Sequence, residues 1–550
     1  MRQRTFPQTE PVDFVIVGSG AAGGVLAKEL STAGFSVVVL EQGPWRQSSD
    51  FRHDELATWF LFDMVGNLRD FPQTFRRTPS QNAEAAGQFP PLLYARGVGG
   101  SSVHFTANYW RFRPIDFRER SALGPISGTG FDDWPITYEE MEPYYTKVDW
   151  EIGVSGAPGP SDPTRSRPYP VPPLPVKSSG VLLERGASAM GWHAQPAPMA
   201  ILSQPHDGRG ACIHCGYCMM YGCEAGAKSS TLVTMIPRAI ATGNCEVRPD
   251  STVFRVETDA AGRTTGVLYW DGNRAEQRQR ARAVILAANG AETTRLLLMS
   301  ESPRFPQGLA NSSGNIGKYM MWNGQTSAFG VFERQLNEYK SVQVTRVVMD
   351  FYDSDPTRGF YGGGGIDARL SSGPIMYSLF GLPQDAPQWG AEYKRMLHEY
   401  YTRTVEFACH TTSLPVATNS VSLDPSVKDK WGRPALRTTY TDHPDDLKTM
   451  QFLQDRAREM LEAADARRVW TLDVAPQTLG AHLLGTCRMG TDPRTSVVDR
   501  YHRAHDVPNL FICDGSSFVT SGRGQPTMTI QALAFRAADH ITRFARAGEI

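Results

Sequence analysis

Two groups of residues in this chain have the types and spacing to do chemistry on their own. Gly18-Ser19-Gly20-Ala21-Ala22-Gly23 forms a Gly-x-Gly-x-x-Gly turn. In such a turn Gly18 permits the tight bend, Gly20 lets a pyrophosphate approach the backbone, and Gly23 lets the next helix pack closely on the strand. The phosphate then lies on the helix N-terminus. Glu41, 18 positions beyond Gly23, is placed to accept hydrogen bonds from the ribose hydroxyls of an adenosine. That role disfavours a 2′-phosphate and therefore NADP, while NAD and FAD both remain open. The second group is Cys212, Cys215, Cys218 and Cys223, four thiols within twelve residues. Zinc ribbons separate two Cys pairs by ~15–20 residues, so this compact run is closer to iron-sulfur ligation of the ferredoxin type.

These groups need elements to position them. Val12 to Val17 is a continuous β-branched and aromatic run, as expected of a strand buried on both faces. It leads into the glycine turn, a helix over Ala21 to Ala33, and a second buried strand from Phe35 to Leu40 that ends at Glu41. Residues 49 to 93 lack periodicity and carry Phe60, Phe62, Phe71 and Phe75, which suits a loop-rich lid. A second glycine cluster, Gly97-Val98-Gly99-Gly100-Ser101-Ser102, follows. Val247 to Ala288 reads as a meander that returns to the first sheet, with a helix from Ala291 to Ser300. Short alternating runs across 340 to 445 predict a large antiparallel sheet. An amphipathic helix over Asp445 to Ala466, a strand over Leu510 to Cys513 and a helix over Thr527 to Ala545 complete the pattern.

Composition narrows the partners. The chain has 550 residues, enough for two to four domains at ~150 residues each. Its 56 Lys plus Arg against 57 Asp plus Glu leave a net charge of -1, so there is no basic excess for nucleic acid. No apolar run approaches the ~18 residues of a membrane span. The N-terminal MRQRTFPQTEPVD has no apolar core of the Sec type, which predicts a cytoplasmic location. Eight cysteines are too few for a disulfide scaffold of this length.

Four separated motifs make the chain resemble the glucose-methanol-choline (GMC) family of flavoprotein oxidoreductases over nearly its whole length. They are DFVIVGSGAAGGVLAKEL with LEQGP, ARGVGGSSVHFTANYW, AANGAETTRLLLMS, and HLLGTCRMG followed by NLFICDGSSF and QPTMTIQALAFRAAD. The resemblance implies an α/β fold. A Rossmann-like FAD domain would be assembled from residues 1–48, 94–118, 228–320 and 476–550. A substrate region with a large antiparallel sheet, the lid and the cysteine run would come from 49–93, 119–227 and 321–475. Arg96, Gly99, Gly100 and Ser101 match the family's flavin-contacting loop. His104 falls where some members bond a histidine to the flavin 8-methyl carbon, and Phe105 departs from the family's usual Asn. Asp514 and Gly515 match a late flavin-contacting turn, and the helix opening at Pro526 and Thr527 would aim its N-terminus at the flavin pyrimidine end.

His482 matches the family's catalytic histidine. As a neutral imidazole it would accept the hydroxyl proton while hydride leaves for the flavin. Gln525 replaces the family's second catalytic His or Asn and can only hydrogen-bond. The cysteine run resembles that of the flavoprotein subunits of bacterial sugar, gluconate and fructose dehydrogenases. This likeness implies a 3Fe-4S cluster, a small partner subunit that brings an export signal and hence a periplasmic route, and a cytochrome or quinone acceptor. The expectation is therefore an FAD-dependent dehydrogenase acting on a hydroxyl of a sugar, glycoside, sugar acid or polyol, with electrons leaving through the cluster. Its rivals are a peroxide-forming oxidase without a cluster and a non-catalytic electron-transfer subunit. Trp322, Trp389 and Trp431 are candidates for stacking on a sugar.

Overall fold

The computed structural model describes residues 3–370 and 373–550. Val12–Val17 lies at the centre of a seven-stranded sheet, hydrogen-bonded in parallel to Val37–Leu40 on one side and to the end of Glu276–Leu286 on the other. Cys245–Arg248 and Leu510–Ile512 extend the parallel part. Both faces are covered, which is why these strands read as unbroken β-branched runs. The helix Ala21–Thr32 packs on one face, against the C-terminal helix Thr527–Arg546. Glu276–Leu286 is long enough to serve twice. Its second half joins the parallel strands, and its first half pairs antiparallel with Thr264–Trp270, which pairs in turn with Thr252–Thr258.

A six-stranded antiparallel sheet runs in the order Arg468–Thr471, Gln325–Val331, Thr404–Thr411, Gly364–Arg369, Arg346–Val348, Ala194–Pro196. Helices Pro444–Ala463 and Ser178–Ala189 bury Leu453, Ala457, Leu183 and Ala187 against it. The antiparallel sheet expected over 340 to 445 is therefore present, but with different membership. Helices Pro374–Phe380 and Gly390–Tyr401 interrupt that stretch. Ser420–Lys428 and Pro434–Thr439 belong instead to a four-stranded sheet with Gln73–Arg76 and Glu84–Ala85 from the supposed loop region. Among the described residues no helix is long and apolar enough to cross a membrane.

Candidate active site

Between the parallel sheet and the six-stranded sheet runs a cavity of about 440 Å³. Gly18, Gly20, Glu41, Gly100, Ser101, His104, His482, Asp514, Gly515, Gln525, Pro526 and Thr527 all line it. One wall is bare backbone. Gly100 has φ of +55°, and a Cβ there would come within 2.7 Å of Gly20 Cα. The two glycine loops therefore touch, and only glycine permits the contact. Gly23 stays off the cavity, because a Cβ on it would sit 1.9 Å from Gly18 O. It is the close-packing residue of helix on strand.

The helix Ala21–Thr32 begins at Gly20 with no side-chain cap and no acid in its first turn. Its orphan N–H groups and positive dipole end are left for an anion. The helix Thr527–Arg546, opening at Pro526, is likewise uncapped. Glu41 ties the loops together: its carboxylate accepts from Ser19 N at 3.1 Å and Ser19 Oγ at 2.8 Å, and from Gly43 N at 3.1 Å and Gly97 N at 3.3 Å. Burial raises its pKa against the pull of those bonds. Asp514 accepts from Ser516 N at 2.8 Å and Thr293 Oγ1 at 2.6 Å, joining the late turn to the helix Asn289–Met299.

Arg96 and Gly99 do not reach the cavity wall. The Arg96 guanidinium lies 3.8 Å over the Phe71 ring and 3.5 Å from Glu292, bracing the lid residue Phe71 from behind. Gly99 N donates to Ser19 Oγ at 3.1 Å. Trp59, Phe62, Phe71 and Phe89 from the aromatic segment line the space. Of the three candidate tryptophans, Trp322 is buried against Tyr440 and Trp389 is 85% exposed. Trp431 borders the cavity, stacked on Trp270 at 5.6 Å. Trp270 pairs with Thr252, beside the backbone bond from Ser251 to Glu41, so Trp431 lies toward the Glu41 end of the cavity.

Three histidines line the cavity. His104 is buried, and neither ring nitrogen has a partner. Burial, then the nearby charges of Lys228 and Arg46, lower its pKa to about 3. His482 is half-buried, with Nδ1 covered and unpartnered. Burial and then His410 lower its pKa to about 3. Both rings are therefore neutral bases at ordinary pH. Gln525 is half-buried on the same cavity, and no hydrogen bond holds its amide among the described residues. The third histidine, His410, was missed from the sequence along with Asp367 and Arg369. They come from two strands of the six-stranded sheet, and no local motif marks them.

The cysteine run departs from expectation. Cys212, Cys215, Cys218 and Cys223 lie close enough for the other three to act on Cys218, yet among the described residues no group of three or more His, Cys, Asp or Glu is placed to share one metal ion. Their loop winds instead around the buried Lys228 ammonium, which donates to Cys218 O at 2.6 Å, Tyr221 O at 2.7 Å and Phe105 O at 3.0 Å. Met220 N donates to His104 O at 2.6 Å, which ties the loop to the flavin-loop segment. Burial pushes the Cys218 thiol up to about 12 and the Cys212 thiol up to about 11, so both are protonated.

The backbone cradle, two uncapped helix N-termini and the orphaned nitrogens of His104 fit an elongated anionic cofactor. Two family models, both described as GMC oxidoreductase, match residues 12–318 and 415–534. The chain belongs to the GMC oxidoreductase family. It is an enzyme, an FAD-dependent oxidoreductase. Over 97% of its length it is 35% identical to a 2-methyl-1,2-propanediol dehydrogenase of Mycolicibacterium austroafricanum, of which it covers 96%. It is 30% identical to the fructose dehydrogenase large subunit of Gluconobacter japonicus over 97% of this chain and 98% of that one. The same GMC fold appears in a formate oxidase of Aspergillus oryzae, with a TM-score of 0.66 at 14% identity over 99% of this chain and 100% of that one.

Proposed function

We propose that this GMC oxidoreductase oxidises a hydroxyl group of a small polyhydroxylated compound, a diol, polyol or sugar, to the carbonyl. The observation that carries this reading is that His482 and Gln525 line the same cavity as the glycine cradle. FAD bound there would supply the acceptor for the hydride that leaves the carbon. Gly18, Gly20, Gly100 and Ser101, which line the cavity, would hold its diphosphate and ring through backbone groups, with Gly99 supporting them from behind through Ser19. Glu41 would face the ribose, and Asp514, Gly515 and the Pro526–Thr527 helix end would face the ring's polar edge. Gly23 and Arg96 hold the surrounding loops. His482 takes the hydroxyl proton as the carbonyl forms, and the Gln525 amide hydrogen-bonds the same oxygen. Relatives named as diol and fructose dehydrogenases support the substrate class. No step is assigned to the cysteine run. Anaerobic bleaching of the flavin by members of a diol, polyol and sugar panel tests the reading, and its failure with all of them would remove it. Turnover with and without an artificial electron acceptor separates a dehydrogenase from an oxidase.

A base held neutral well below pH 6 leaves a mark on the pH profile. His482, lowered to about 3, stays unprotonated from pH 5 to 8, so the rate of flavin reduction is expected to be flat across that range. A break at ~6.5, the ordinary histidine value, would show a ring that titrates in contact with water.

His104 is assigned as a covalent anchor of the flavin, because it is a neutral imidazole with both nitrogens buried and unpartnered at the cavity wall. After acid precipitation the yellow colour is expected in the pellet. Colour wholly in the supernatant would leave FAD bound but remove the bond.

A further inference from the structure

The cavity wall formed by the six-stranded sheet carries a polar group that neither cofactor binding nor proton removal uses. In Gly364–Arg369 the pleat puts Gly365, Asp367 and Arg369 on one face. The register sets Gly365 opposite His410 of the neighbouring strand, which leaves His410 diagonal to Asp367. His410 Nε2 is 2.9 Å from Asp367 Oδ2 and 2.8 Å from Arg369 Nη2. Arg369 Nε donates to Asp367 Oδ1 at 2.6 Å, and Nη2 donates to Oδ2. Asn108 Nδ2 adds a fourth bond to Asp367 at 2.9 Å. Burial works against the charged form, yet Arg369 and His410 hold the Asp367 carboxyl well below the usual range.

Counting donors and acceptors shows what is left over. Arg369 commits Nε and Nη2, and among the described residues its Nη1 bonds to nothing. His410 Nδ1 and Asn108 Oδ1 are buried without partners. Arg369, His410 and Asn108 all line the cavity. Unpaired polar atoms of this kind carry a desolvation penalty that a ligand's own hydrogen bonds relieve. Arg369 cancels the Asp367 charge, so the group presents polar contacts with little net charge and suits a neutral oxygen better than a carboxylate.

Its position relative to the proposed base is also fixed. Gly524 has φ of +90°, and a Cβ there would lie 2.5 Å from His410 Cβ. The turn that carries Gln525 therefore rests directly on His410. His482, Gln525, Arg369 and His410 line one cavity, so an alcohol oxygen held by the first two leaves the Arg369 and His410 donors and acceptors for a second polar group.

We propose that Asp367, Arg369 and His410 form a second-hydroxyl subsite, in which Arg369 and His410 hold the oxygen on the carbon next to the one oxidised and Asp367 positions them, so that the enzyme selects vicinal diols. The assignment rests on the reading of His482 and Gln525 as the pair that meets the reacting hydroxyl. Its test does not depend on turnover. Pinacol is a vicinal diol and tert-butanol a single alcohol, and every hydroxyl in both is tertiary, so neither is oxidised. Each is titrated into the oxidised holoenzyme and followed by perturbation of the flavin spectrum. Pinacol is expected to bind about 10- to 100-fold more tightly, the worth of one hydrogen bond to a charged group. Arg369→Lys keeps a cation against Asp367 but loses the guanidinium fork, and His410→Phe keeps the ring beside Trp110 but loses its nitrogens. In either variant that retains its flavin, the pinacol preference is expected to fall to within about 3-fold. Equal affinities in the unaltered enzyme would overturn the subsite, and so would a preference that survives in a flavin-retaining variant. Tighter binding of 2-hydroxyisobutyrate than of pinacol would overturn the neutral-oxygen assignment. Failure of the oxidation itself would appear separately, as no bleaching by propane-1,2-diol.

Discussion

Replacing His482 with Ala is expected to slow anaerobic flavin reduction by about 100- to 10,000-fold, the usual contribution of a positioned base, while substrate affinity changes far less. The expectation follows from what surrounds the ring. Its Nδ1 is covered and unpartnered, and burial keeps it neutral. The backbone, not a carboxylate, sets its position. Leu484 bridges to Met321, and a Cβ on Gly290 would come within 2.3 Å of Leu483 O, which shows how tightly the segment is clamped. Gln525→Ala removes only a hydrogen bond to the same oxygen, so its loss is expected to be smaller, and Gln525→Asn is expected to recover part of it with altered substrate preference. The measurement is stopped-flow reduction with a good substrate, because steady-state turnover mixes in reoxidation. Reduction of the His482→Ala flavin at the unaltered rate would show that the proton leaves by another group. His410, close enough to influence His482, is then the next residue to remove.

How much of this site the sequence discloses depends on how local its causes are. The first glycine turn and its strands are legible because both faces are buried and glycines punctuate the run, and the observed bounds, Val12–Val17 and Ala21–Thr32, differ by a residue or two at most. Arg96 matches a motif, yet it points at Phe71 and Glu292, a choice made by packing with residues far along the chain. Asp367 and His410 meet only through strand register across 43 positions, and the helices Pro374–Phe380 and Gly390–Tyr401 between them hide the pairing. The cysteine spacing indicates that four thiols are near one another. It does not indicate that the loop wraps the Lys228 ammonium and presents carbonyls inward. That depends on turns such as Gly216 at φ +95° and Met220 at φ +70°, and no spacing rule contains them.

Replacing Arg523 with Met is expected to destabilise the fold by about 3–5 kcal/mol, the range for breaking a buried ion pair from one side. Arg523 is fully enclosed two positions before Gln525. Its Nη1 donates to Asp116 Oδ1 at 2.8 Å, Nη2 donates to Glu119 and to Ser354 Oγ, and Nε donates to Tyr352 O at 2.9 Å. Tyr352 and Tyr361 hydroxyls donate to the remaining oxygens of Asp116 and Glu119 at 2.7 and 2.6 Å. The variant would leave two buried carboxyls with no cation. Burial already raises the Asp116 pKa with Arg523 present, and without the guanidinium it would rise further. An acid whose folded pKa lies above its unfolded ~4 binds more protons folded than unfolded, so the stability it contributes below that pH is lost as pH rises. Denaturant unfolding of Arg523→Met should therefore show a deficit that is larger at pH 7 than at pH 4.5. Adding Asp116→Asn and Glu119→Gln should recover most of the loss, because it removes the uncompensated charges. A deficit independent of pH and unrelieved by those changes would show that Arg523 supports the Gln525 turn through packing alone.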